Sequence, residues 1–169
     1  MFKKELAFNG FIFIAFWFFL LAILVFLFGR WHATTLGGIE AIVINDVEKK
    51  VLIRMSRHHR YQAIGRINHE KVLFIIDTGA DSVAVPMSIA KKVGLAFLGD
   101  IIIKTASGQV KGNMTRIRDI SLGPIRLTNI RAVIIPTQSN YVLLGMSALK
   151  KLTLNQKDNL LTLIQPIDN

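Results

Sequence analysis

The residues best placed to do chemistry in this 169-residue chain are Asp77-Thr78-Gly79-Ala80-Asp81-Ser82. They follow Val72 to Ile76, a run of consecutive apolar residues expected to form a strand buried on both faces. A carboxylate at the end of such a strand is costly unless it is hydrogen-bonded or shares a proton. Gly79 lets the backbone turn sharply and bring amides toward the Asp77 carboxylate, and Thr78 offers a hydroxyl for a further bond. Taken alone, such a triplet reads most simply as a turn that ends a strand, so its meaning depends on its companions.

Other chemistries are poorly served. The absence of Cys excludes disulfides, thiolate metal sites and a cysteine nucleophile. Ser88-Ile-Ala-Lys91 and Ser147-Ala-Leu-Lys150 match Ser-x-x-Lys, but no Ser-Asp-Asn follows, and Lys104-Thr105 precedes Ala106 rather than Gly. Gly145 to Leu149 lacks the final Gly of a nucleophile elbow, and His69-Glu70 has no second His four residues after the first. His58 and His59 are adjacent, so on a strand they would face opposite ways and could not easily share a metal. Arg54, Arg57, Arg60 and Arg66 read as a solvated face. No metal site and no cofactor is expected.

The elements that must position the Asp77 loop divide the chain into parts. Nine of the eleven Phe lie within the first 28 residues, and Phe11 to Phe28 is entirely apolar, close to the roughly 20 residues that span a bilayer core. The stretch is longer than a signal-peptide core and runs into Gly29-Arg30-Trp31-His32-Ala33, which is bulky where a cleavage site needs small residues. Residues 1–29 are therefore expected to be a retained transmembrane anchor. Residues 30–55 read as a stalk with room for short strands at Ala41 to Ile44 and Val51 to Ile53, and residues 56–169 as the folded domain. Strands are expected at Tyr61 to Ile67, Val72 to Ile76, Ile101 to Thr105, Val110 to Ile117, Ile125 to Ile135, Val142 to Leu144, Leu152 to Leu154 and Leu160 to Ile164. Short helices are expected at Pro86 to Val93, with Gly94 as its cap, and at Met146 to Lys151. So many strands in so short a domain imply an all-β sandwich or barrel.

Charge places the domain more loosely. Beyond residue 29 stand 19 Lys and Arg against 10 Asp and Glu, a net charge of +9 that suits anionic lipid, nucleic acid or acidic partners alike. Beyond Trp31 the aromatics are only Tyr61, Phe74, Phe97 and Tyr141, too few for base stacking among the basic residues, so no nucleic acid is expected. Lys3 and Lys4 before the apolar stretch favour an inside N-terminus, which puts the folded domain on the far side of the membrane.

Phe74 to Val83 closely resembles the active-site loop of retropepsin-like aspartic proteases. Val142-Leu143-Leu144-Gly145-Met146-Ser147-Ala148-Leu149 is similar to the segment and helix that support that loop, and Thr105-Ala106-Ser107-Gly108-Gln109 falls where the family has its substrate-covering flap. The resemblance covers about residues 57 to 165. It is nearest to the small, single-pass membrane-anchored bacterial branch, through His59-Arg60-Tyr61, Thr105 to Gly108 and Leu143 to Met146. It implies an all-β, retropepsin-like closed barrel with one or two short helices, preceded by one transmembrane helix. Asp77 would be catalytic; Thr78 and Gly79 would support the loop, Thr78 bonding across a dimer axis. Ala80, Asp81, Ser82, Ala106, Ser107 and Gly108 would contact substrate, and Leu144 and Gly145 would brace the loop from below. Viral members usually carry Arg-Asn after the glycine equivalent to Gly145, with the Arg bracing the Asp at the place of Asp81; here Met146 and Ser147 stand there. The flap also has fewer glycines, with Gly108 and then Gly112.

Of the seven Asp residues only Asp77 is followed by Thr-Gly or Ser-Gly, whereas the chemistry uses two carboxylates sharing a proton. The second must come from another copy of the chain. The expectation is a membrane-anchored aspartic endopeptidase, homodimeric, acting on a peptide or protein, touching membrane lipid through its N-terminal helix in a bacterial inner membrane, with its domain in the periplasm. The alternative is a catalytically inactive dimer or peptide-binding module of the same fold at the membrane surface.

Overall fold

The computed structural model describes residues 13–27, 38–44, 48–105 and 108–166. The chain divides into two compact units, Met1–Leu36 and Gly37–Asn169. In the first, residues 13–27 form helix α1, whose side chains are exposed apolar groups. Among the described residues no helix is long and apolar enough to cross a membrane. The expected anchor extends past α1 at both ends, into residues 1–12 and 28–29, which lie outside the described ones.

The described residues of the second unit form eleven strands and two short helices. In chain order these are β1 (Ile39–Ile44), β2 (Glu48–Arg54), β3 (Gln62–Ile67), β4 (Glu70–Ile76), β5 (Val83–Pro86), α2 (Met87–Lys92), β6 (Asp100–Thr105), β7 (Gly108–Leu122), β8 (Ile125–Ile135), β9 (Tyr141–Leu144), α3 (Met146–Leu149), β10 (Thr153–Lys157) and β11 (Leu160–Pro166). One sheet runs β3-β4-β9-β5-β8-β7-β6, and β7 also pairs with β3 through Arg66 opposite Ser121 and Ile67 opposite Ile120. That last pairing closes six strands into a ring and leaves β6 as a flange on β7. Closure demands a close approach at Gly65, where a Cβ would lie 2.9 Å from the Phe74 ring and closer still to the Ser121 carbonyl. Only Gly fits there.

The second sheet, β1-β2-β11-β10, uses the segment expected to be a stalk. Val51 and Ile53 on β2 are fully buried and share one hydrophobic core with Phe74, Ile117, Leu144 and Leu163. The linker boundary at residue 55 is therefore corrected: from β1 onward the chain is part of the fold, because an apolar strand flanked by Lys49, Lys50 and Arg54 still buries its alternate residues when a partner strand covers it. Strand β4 behaves as its apolar run predicts only in part. Val72, Phe74 and Ile75 are buried, while Leu73 and Ile76 are half-buried and line surface clefts.

The expected helices are present in shorter form, with Pro86 preceding α2 and Gly94 following it at φ 68°. Strand β5 was not foreseen, since its pairing with Ala132–Ile135 of β8 is long-range and leaves no periodic mark in four residues. Strand β7 runs beyond the expected Ile117 because β8 pairs with it from Asn113 to its end, Asp119 opposite Thr128 and Leu122 opposite Ile125. His58 and His59 lie in the turn of residues 56–60, His59 at φ 54°, not on a strand. Arg66 is set apart from the other arginines of its supposed cluster, bonding the His69 carbonyl in the β3–β4 turn at 2.6 Å.

Candidate active site

Parallel pairing of β4 with β9 sets Ile76 beside Leu144. The register carries one step further, since the Asp77 N–H donates to the Leu144 carbonyl at 3.2 Å. Asp77 is thus delivered at the open end of two buried strands, its side chain half-buried. The Gly79 N–H donates to Asp77 Oδ1 at 3.0 Å, and the Ala80 N–H to the Asp77 carbonyl at 3.3 Å. An amide donor on a carboxylate oxygen orients it and lowers the cost of its burial. The amide role expected of Gly79 is present, but its φ is not left-handed. What favours glycine there is space, because a Cβ would sit 3.3 Å from Asp77 Oδ1.

The loop is strapped from the other side by α3. The Met146 N–H donates to the Ala80 carbonyl at 2.7 Å and the Ser147 N–H to the Asp81 carbonyl at 2.9 Å. Gly145 is required by proximity: a Cβ would lie 2.6 Å from the Ala80 carbonyl oxygen and closer to that of Ser82. The buried Ser147 hydroxyl accepts from the Val83 N–H at 3.0 Å and donates to the Arg131 carbonyl at 2.7 Å, joining α3 to β5 and β8. The missing arginine brace is therefore replaced by main-chain donors and one serine. These hold the backbone of Asp81, while its carboxylate is exposed and has no ion pair among the described residues.

Two clefts flank the loop. One of about 370 Å³ is lined by His59, Arg60, Tyr61, Ile75, Ile76, Asp77, Tyr141 and Leu143. The other, about 220 Å³, is lined by Tyr61, Ile76, Thr78, Leu154, Gln156 and Leu161. Tyr61 and Ile76 line both, the Tyr61 hydroxyl buried without a hydrogen-bond partner among the described residues. Of the residues expected at the site, Asp77 through Ser82 come together with Leu144 and Gly145. Gly108 stands apart at the tip of the β6–β7 hairpin, at φ 119°, its carbonyl accepting from the Thr105 hydroxyl at 2.8 Å. Ala106 and Ser107 lie outside the described residues. Tyr141, Leu143 and Ser147 were not assigned in advance, although the length of β9 and its parallel register would have pointed to the first two. Among the described residues no three His, Asp or Glu side chains converge as metal ligands.

A ring closed by β7, an Asp-Thr-Gly turn at the end of a buried strand and a glycine-led helix beneath it define a retropepsin-like aspartic protease domain. Residues 63–151 match the family model described as "gag-polyprotein putative aspartyl protease", and the chain belongs to that family. An uncharacterized protein in the cobV 5' region of a Sinorhizobium species is 29% identical over 123 residues, covering 69% of this chain and 53% of that protein. The chain thus spans about half the length of that curated relative. Among solved structures, a retropepsin-like aspartic protease from Rickettsia conorii superposes with a TM-score of 0.60 at 21% identity, over 75% of this chain and 99% of that one. The EIAV protease in complex with the inhibitor HBY-793 gives 0.45 at 19% identity, over 51% and 81% of the two chains. The Rickettsia structure shares the fold.

Proposed function

We propose that the chain is an aspartic endopeptidase that works as a homodimer, Asp77 of each protomer forming the catalytic dyad, and that residues 1–29 anchor it in a bacterial inner membrane with the folded unit in the periplasm. The observation that carries the reading is the Asp77 carboxylate, presented at a strand end with Oδ1 held by the Gly79 amide and the loop clamped to α3. Asp77 Oδ2 has no hydrogen bond among the described residues and is the oxygen left for chemistry. With one such triplet per chain, the second carboxylate comes from the partner protomer.

Two carboxylates brought to about 3 Å repel if both ionise, so they share a proton. The ionised member takes a proton from water, and the resulting hydroxide equivalent attacks the scissile carbonyl, whose oxygen is polarised by the protonated member. No metal or organic cofactor enters this scheme. Ala80, Asp81, Ser82 and the flap residues Ala106, Ser107 and Gly108 are proposed to contact the peptide, and Thr78 to bond across the dimer axis. The positive-inside balance of Lys3 and Lys4 supports the orientation, and the apolar run through Phe28 supports the anchor.

The test is cleavage of a diverse peptide pool by the full chain in detergent, wild type beside Asp77→Asn, with oligomeric state recorded. Cleavage abolished by the substitution is the expected result. Silence of both proteins as intact dimers would overturn the endopeptidase reading in favour of a peptide-binding module.

A further inference from the structure

The outer face of the β7–β8 ribbon gathers cations that no carboxylate of the described residues neutralises. Arg116 and Arg131 stand directly opposite one another in the antiparallel register, an arrangement of like charges that weakens a sheet locally. Arg118 follows on the same exposed side and, with Arg116, Thr128 and Asn129, lines a shallow hollow of about 410 Å³. The groups that hold these cations are neutral. Asn129 Oδ1 accepts from Arg116 Nη1 at 3.0 Å, and the Thr128 carbonyl accepts from Lys151 Nζ at 3.0 Å. Asn129 itself adopts φ 58°, a left-handed conformation uncommon outside glycine, at the position that orients Arg116. Other cations are treated differently: Arg126 pairs with Asp119 at 3.6 Å and Lys92 with Glu70 at 3.1 Å.

An apolar patch adjoins this hollow. Met114 precedes Arg116 on the same outward row and is 41% exposed. The Leu98 N–H donates to the Met114 carbonyl at 2.9 Å, and the Met114 N–H to the Gly99 carbonyl at 2.7 Å, which fixes Phe97 and Leu98, 55% and 59% exposed, beside it. Unpaired guanidinium groups next to exposed aromatic and aliphatic side chains suit a surface of phosphates over hydrocarbon. They suit nucleic acid less well, because the face offers a single exposed ring, Phe97, and none lines the hollow itself to stack successive bases.

We infer that this face docks the folded unit onto the anionic surface of a phospholipid bilayer, phosphates meeting Arg116, Arg118, Arg131 and Lys151 while Phe97 and Leu98 enter the interfacial layer. The exposed apolar side chains of α1 in the same chain favour a bilayer as the occupant. None of these residues lines the clefts beside Asp77, so the inference stands apart from the catalytic proposal.

Because the chain has no Cys, Leu98→Cys carries a single environment-sensitive fluorophore. The labelled full chain is reconstituted in vesicles of phosphatidylcholine alone or mixed with phosphatidylglycerol, and quenching by lipid-borne bromine is read. Quenching in the anionic vesicles only, falling as salt rises, is the expected result. Removing charge in Arg116→Gln/Arg118→Gln/Arg131→Gln should lower the docked-to-undocked ratio about fivefold per charge, roughly a hundredfold in all. The salt titration of unsubstituted arginines tests the same interaction if the triple variant misfolds. Equal quenching in neutral vesicles, a probe that stays in water in both, or saturation of the hollow by soluble glycerophosphate without lipid contact would each overturn docking to a bilayer.

Discussion

In the proposed site, chemistry, clearance and support fall to Asp77, Gly145 and Ser147 respectively. Asp77→Asn keeps an Oδ1 acceptor for the Gly79 amide, so the fold should be retained with an unchanged unfolding midpoint, while peptide cleavage falls about a thousandfold or more. Gly145→Ala pushes a methyl into the carbonyls of Ala80 and Ser82. Backbone cannot yield as a side-chain tip can, so the expected cost is about 3 kcal/mol, with loss of cleavage, measured by denaturant unfolding and turnover. Ser147→Ala strips the buried Val83 N–H and Arg131 carbonyl of their partner. A loss of about 2 kcal/mol is expected from leaving such groups unsatisfied, with cleavage impaired because β5 and the Asp77 loop share that anchor. Full activity and stability in the Ser147 variant would show that the α3 amides alone hold the loop.

At the scale of elements, β2 decides where the domain begins. It pairs with both β1 and β11 and sends Val51 and Ile53 into the core. A chain starting at residue 55 should therefore aggregate, because β11 would present an unpaired edge and the core would lose two fully buried side chains. One starting at residue 38 should fold, and size-exclusion chromatography of the two fragments distinguishes them. Strand β7 shows how one element serves two parts of the molecule. Its first half pairs with β6 in the hairpin expected to cover substrate, and its second half pairs with β8 and β3 in the ring. The inward residues change from Thr115 and Ile117 to Ile120 and Leu122 along it, and from Ile130 and Ala132 to Leu127 and Ile125 along β8. The switch falls where Asn129 takes its left-handed φ.

For the whole molecule, one Asp-Thr-Gly per chain means that the proposed dyad requires a dimer. Mixing equal amounts of wild type and Asp77→Asn, with free exchange of protomers, should leave about a quarter of the activity that the same total amount of wild-type protein gives. Retention of half would mean that each protomer acts by itself. A dyad that works with one shared proton also predicts a bell-shaped dependence of cleavage on pH, with activity lost when both carboxyls are protonated or both ionised. Anchoring in a membrane would raise the effective concentration of partners and favour the dimer.

The local pattern was sufficient to place β4, the Asp77 turn, the β6–β7 hairpin and the glycine-led helix α3, because apolar runs, Asp-Thr-Gly and Pro or Gly punctuation act within a few residues of themselves. It also set the number of Asp-Thr-Gly triplets per chain at one. Tertiary structure alone decided the rest. β5 exists because Ala132–Ile135 and Leu143 lie alongside it, the supposed stalk is core because β11 covers β2, and Ser147 supports the site because folding brings Val83 and Arg131 to its hydroxyl. Each depends on partners distant in sequence, and a long-range hydrogen bond or buried contact leaves no period or motif in the residues that make it.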